Sequence, residues 1–171
     1  MIERILIDTL NLRARDFASR WKDLIRKEVQ LKHYNAMTDE ALIEADKLFY
    51  PMLARTLDRG LDRSIVGDFF VKMGKERMRQ GFPVSEVIYA TSLVQKVINE
   101  YLLNEFAMDN PMRMYQSIEA INKISNFILL GSFYLTKGFL EETYTHMNQH
   151  DQVSEELLKK YFKDDFFFKK G

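Results

Sequence analysis

Glu142, His146 and His150 stand four residues apart. On a helix that spacing puts a carboxylate and two imidazoles on one face, a donor set that a transition metal can use. The same residues lie among Glu141, Asn148, Gln149 and Asp151, so the competing reading is a solvated helix face. No second cluster supplies further ligands. A di-iron bundle needs Glu-x-x-His pairs from two helices, and the chain has none. A globin-type haem site needs an axial histidine facing an apolar pocket, whereas His33 sits between Lys32 and Tyr34 in an expected loop. The chain has no cysteine, which removes disulfides, thiolate metal sites and thiol nucleophiles together. No phosphoacceptor box surrounds a histidine and no nucleophilic triad can be assembled. The expectation is a protein without enzyme activity, metal or cofactor.

The elements that would carry these side chains read as helices punctuated by a few stops. With seven glycines, three prolines and little period-two alternation, the chain is expected to be all-α, with five to six helices and a long penultimate one. A first helix is expected from Ile2 to about Val29, its apolar stripe formed by Leu6, Leu10, Phe17, Trp21, Leu24 and Ile25. Thr38 is placed as an N-cap, followed by Asp39 and Glu40 in the first turn, with Met37 positioned to staple onto Leu42. That second helix continues past Pro51, which should kink or split it, to a stop at Gly60. A third, capped by Asp62, ends at Gly81, and Pro83 suits the first turn of an apolar fourth helix reaching about Phe106. Asn110 and Pro111 open a fifth with no strong breaker until about Met147, whose 36 residues would span roughly 54 Å, more than the width of a small domain. A weak helical pattern follows from Val153 to Phe162. Residues 1–150 thus read as one helical regulatory domain and 151–171 as a short tail.

Composition bounds the function classes. Lys and Arg total 25, and so do Asp and Glu, so there is no global positive field for nucleic acid or an anionic membrane. The longest uncharged run, the thirteen residues between Lys123 and Lys137, is well short of the roughly 20 that cross a bilayer as a helix. Charges at Glu3, Arg4 and Asp8 interrupt the segment where a signal peptide needs an apolar run. A cytoplasmic protein without a membrane span is expected.

Six glycines carry structural information. Gly60, Gly67, Gly74 and Gly81 are seven apart, and so are Gly131 and Gly138. Gly81, Phe82 and Pro83 form a structural corner. Gly67 and Gly74 lie within the third helix, where with Phe70 they would make a smooth groove for a ligand or for close approach of another helix. On the fifth helix, Phe127, Gly131, Tyr134 and Gly138 alternate large and small, as in either an internal contact or the seam of a homodimer, and a seam is expected there. Three adjacent phenylalanines, Phe166 to Phe168, cannot all point one way, so at least one should dock on the domain or on a partner.

Taken together, Trp21 near the end of the first helix, Met37-Thr38-Asp39-Glu40-Ala41-Leu42, the leucine-rich helix closed by Gly60, and Gly74 to Gly81 followed by Phe82-Pro83-Val84-Ser85-Glu86-Val87 resemble the N-terminal domain of RsbR-type co-antagonists of the RsbT kinase. The resemblance runs from about Leu10 to Tyr144 and rests on structural punctuation. It implies a bacterial, globin-like or bundle-like helical input domain of stress signalling, without haem and dimeric through its terminal helices. Such domains are usually fused to a STAS domain, a histidine kinase or another output. Here at most a short helical tail follows, so the resemblance implies either a stand-alone member acting on a separate kinase, STAS or anti-sigma partner, or an input domain parted from its output. The function expected is a non-enzymatic sensor that relays helix repacking. The alternatives are a haem- or metal-binding helical protein and a ligand-free dimerisation module.

Overall fold

The computed structural model describes residues 2–106 and 110–150, together with Ser154 and Glu156. Among them the regular structure is helical: α1 (Ile2–Leu12), α2 (Ala14–Lys27), α3 (Lys32–Asn35), α4 (Asp39–Asp46), α5 (Phe49–Arg59), α6 (Arg63–Arg79), α7 (Val84–Phe106) and α8 (Pro111–His150). The helical pattern from Val153 to Phe162 and the Phe166 to Phe168 triplet lie outside the described residues. Contacts group the chain into two compact units, Met1–Asp62 with Tyr89–Leu129, and Arg63–Ile88 with Leu130–Gly171.

In the first unit the single helix expected from Ile2 to Val29 is two. The backbone leaves helical geometry at Arg13 (φ −118°, ψ 26°). The Arg13 carbonyl accepts from the amides of Asp16 and Phe17, and its guanidinium takes the Asp16 carboxylate at 2.8 Å, so the break is held by local bonds without glycine or proline. His33, expected in a loop, belongs to the one-turn α3. Arg26 ties that region down by donating to the Asn35 and Met37 carbonyls and to Asp39.

Thr38 caps α4 as expected, its hydroxyl accepting from the Ala41 amide. Pro51 splits the second helix: α4 ends at Asp46 and α5 restarts at Phe49, which leaves the proline in the first turn, where its missing donor costs nothing. An aromatic cluster fills the space behind. Phe17 stacks on Tyr50 at 5.3 Å and meets Tyr101 edge-on, and Phe49 meets Phe127 edge-on at 5.4 Å. Tyr50 is fully buried and donates to the buried Asp46 at 2.6 Å. Burial first, and the Asp46 charge second, push the phenol well above its ordinary pKa. The Trp21 indole N–H, which must be satisfied when buried, donates to the Ala90 carbonyl at 2.8 Å.

In the second unit α6 ends in a Schellman motif. The Phe82 amide donates to the Arg77 carbonyl and the Gly81 amide to the Met78 carbonyl, with Gly81 at φ +80°. Phe82 is buried beneath the Arg77 guanidinium, 4.9 Å from its ring centre. Pro83 sits one position earlier than expected. Its carbonyl accepts from the Val87 amide, which makes it the N-cap residue ahead of the helical first turn.

A Cβ at Gly81 would meet nothing within 4 Å, so the demand for glycine is one of backbone angle alone. Gly81→Ala is expected to cost about 1–2 kcal/mol in urea unfolding, the penalty of left-handed geometry for an L-residue. Gly81→Val should cost more because of its branched Cβ, and Pro83→Ala much less. Equal unfolding midpoints for Gly81→Val and the parent would refute this.

Candidate functional site

α8 is the element on which the candidate chemistry and the candidate contacts converge. Asn110 opens it by accepting the Arg113 amide at 2.9 Å, with Pro111 as the first helical residue. Ser117, Ser125, Thr136 and Thr143 turn their hydroxyls back to the carbonyls four residues earlier, which satisfies them within the helix. Gly131 and Gly138 lie inside this helix without ending it.

In the second unit both glycines face α6. A Cβ on Gly138 would stand 2.7 Å from the Val71 Cα and closer still to its carbonyl oxygen. A Cβ on Gly74 would stand 2.9 Å from the Phe139 amide nitrogen and would collide with the Leu135 carbonyl. Backbone therefore meets backbone, an approach that only residues without a side chain permit and that Cα–H···O contacts can support. Gly131 differs in that the ring of fully buried Phe70 occupies the space its Cβ would fill. At the end of the crossing, half-buried Lys75 pairs with Glu141 at 2.9 Å, and Arg79 forks onto Glu142 at 2.9 and 3.0 Å.

These contacts reassign the residues expected from sequence. Of the groove placed at Gly67, Phe70 and Gly74, α8 lies against Phe70 and Gly74. Of the expected dimer seam, Gly131 and Gly138 are used within the chain and Phe127 is buried in the first unit against Phe49, which leaves Tyr134 as its one partly exposed member. Glu142 is engaged by Arg79 rather than lying open beside His146. Among the described residues no group of three or more His, Cys, Asp or Glu side chains could hold a metal ion.

The opposite face of α8 is one that residue spacing does not single out. In the first unit Ser117, Ala120, Ile124, Phe127 and Ile128 point inward, while Tyr115, Ile118, Asn122 and Leu129 project to solvent. In the second unit Leu135 points inward and Phe133 outward, with the Lys137 ammonium 5.1 Å from its ring centre. The available signal was the eleven-residue interval from Ile118 to Leu129 and from Asn122 to Phe133, close to three turns of a straight helix.

The family model for the RsbT co-antagonist protein rsbRD N-terminal domain matches residues 15–153. The chain belongs to that family. Its members are regulatory domains of stress signalling, and the match spans the chain from the second residue of α2 through the whole of α8. Neither the curated proteins nor the solved structures contain a match. None of the described helices is long and apolar enough to cross a membrane.

The crossing predicts an order of sensitivities within this family member. Gly138→Ala and Gly74→Ala force backbone apart and should each cost about 3 kcal/mol, at the upper end of the usual overpacking penalty. Gly131→Ala should cost less, because what its Cβ displaces is the far end of one side chain rather than backbone. Urea unfolding of the three variants would expose the reverse order, which this geometry forbids.

Proposed function

We propose that this chain is a non-enzymatic regulatory domain that acts as a homodimer and passes a change in helix packing along α8 to a signalling partner of the kinase, STAS or anti-sigma type. One observation carries the reading. α8 leaves Tyr115, Ile118 and Leu129 in the first unit 66%, 46% and 69% exposed, and Phe133 in the second 54% exposed, all on the side turned away from its own buried residues. Large apolar side chains repeated along one helix face are the usual substrate of helix pairing, and a self-complementary patch closes as a symmetric dimer. Asn122 falls within the stripe, where a polar residue can set register between paired helices.

Membership of a stress-signalling family supports the regulatory role, and the absence of cysteine supports a reducing, cytoplasmic setting. The haem- or metal-binding reading and the ligand-free dimerisation reading predict different measurements. Metal analysis and an absorption spectrum of protein purified from iron-supplemented cells address the first, and a thermal-shift screen with apolar and acidic metabolites addresses the second.

Light scattering at tens of micromolar is expected to show a dimer for the parent chain and a monomer for Leu129→Glu, with unchanged far-ultraviolet dichroism and Trp21 fluorescence. The His146→Gln, His150→Gln double variant should remain dimeric and metal-free. A monomeric parent chain, or a dimer indifferent to Leu129→Glu, would contradict the reading.

A further inference from the structure

α4 is attached to the first unit largely by charge. Over its eight residues it buries one aliphatic side chain, Leu42, and its other buried residue is Asp46. What faces it from α2 is a row of cations. Arg15 reaches Glu40 at 2.7 Å and Glu44 at 3.1 Å with separate nitrogens. Arg26 holds Asp39 through Nη2 at 2.7 Å and Nε at 3.0 Å, while Nη2 also donates to the Met37 carbonyl and Nη1 to the Asn35 carbonyl, and Lys22 stands 3.9 Å from the second Asp39 oxygen. Asp39, Glu40 and Glu44 are all solvent-exposed. The hydrogen bond from Arg26 holds the Asp39 carboxyl below its ordinary pKa, and that from Arg15 does the same for Glu40, so both carboxylates favour the charged form that these bonds need.

Exposed ion pairs are weak one at a time and are screened by salt, but several that share members act as a network. Here two such clusters, Arg15 with Glu40 and Glu44, and Arg26 and Lys22 with Asp39, line the contact of a short helix that fully buries one aliphatic side chain. The second unit offers the opposite case, since α6 and α8 meet through backbone at Gly74 and Gly138 and the Lys75–Glu141 pair is half-buried, an arrangement that salt screens far less.

We propose that α4 is an ionic-strength-sensitive strap, drawn onto α2 at low salt and the first helix of the first unit to loosen as salt rises. Its release frees Leu42 and the Tyr50–Asp46 pair from their closed arrangement while the α7 core stays folded. This inference stands on the α2–α4 geometry alone and is independent of family membership and of dimerisation.

Amide hydrogen exchange, resolved by residue on the full chain, tests it. Raising sodium chloride from about 20 mM to about 0.5 M, which shrinks the Debye length from roughly 20 Å to a few ångströms, should speed exchange of the Ile43–Lys47 amides by about fivefold or more. The Val94–Leu102 amides of α7 should change by less than about twofold, as expected of a separate, more stable unit of opening. A Glu40→Gln, Glu44→Gln variant, which touches only surface carboxylates and leaves Asp39 with Arg26, should exchange faster in α4 at low salt and lose most of its salt response. Retained Trp21 fluorescence would show that this variant is folded. Salt-insensitive exchange in α4, a parallel rise in α7, or an undiminished salt response in the variant would each overturn the proposal.

Discussion

Residues 74 and 138 have no Cβ, and the contact between α6 and α8 depends on that absence. Any side chain at either position would occupy space now held by backbone of the other helix, by the Leu135 carbonyl in one case and the Val71 carbonyl in the other. Glycine inside a helix costs roughly 1 kcal/mol relative to alanine, so two of them are tolerated only because close approach returns more. The Lys75–Glu141 and Arg79–Glu142 pairs then fix how the two helices are aligned, since each links one position of α6 to one of α8.

Once the inward face of α8 is occupied in this way, the side chains left over define what the helix can do next. Gly131, Leu135 and Gly138 are used in the second unit, as are Ile124, Phe127 and Ile128 in the first. Among the exposed large apolar residues of α8, Tyr115, Ile118, Leu129 and Phe133 lie on the side away from these. A regulatory domain of stress signalling has to report its state to another molecule, and a helix with a fixed inner face and an apolar outer one is physically suited to that task. The proposed dimer therefore uses the opposite side of the helix from the glycines that sequence spacing brought forward.

Much of the helical punctuation was readable because each signal has a local cause. Thr38, Gly60, Gly81, Asn110 and Pro111 act through bonds or backbone angles within a few residues of themselves, and each stands at a helix end. The break at Arg13 was not readable, because it is made by an arginine and an aspartate that are equally at home inside a helix. Nor was the facing of α8. A helix with apolar residues around much of its circumference carries no strong amphipathic signal, so spacing alone could not tell whether Gly131 and Gly138 met the same chain or another. The Glu142, His146 and His150 series illustrates the same limit, since its geometry on one helix was legible but the Arg79 side chain that engages Glu142 comes from 63 residues away.

The most direct test of the outward face uses the fact that the chain has no native cysteine. A single cysteine introduced as Asn126→Cys, carrying a nitroxide label, places one probe on the outward side of α8 in each protomer. If the two faces pair, pulsed dipolar spectroscopy should give one intermolecular distance below about 25 Å, since packed helix axes lie 8–10 Å apart and the labels add their own reach. Absence of dipolar modulation, or a distribution confined to much longer distances, would show that this face of α8 does not meet a second copy.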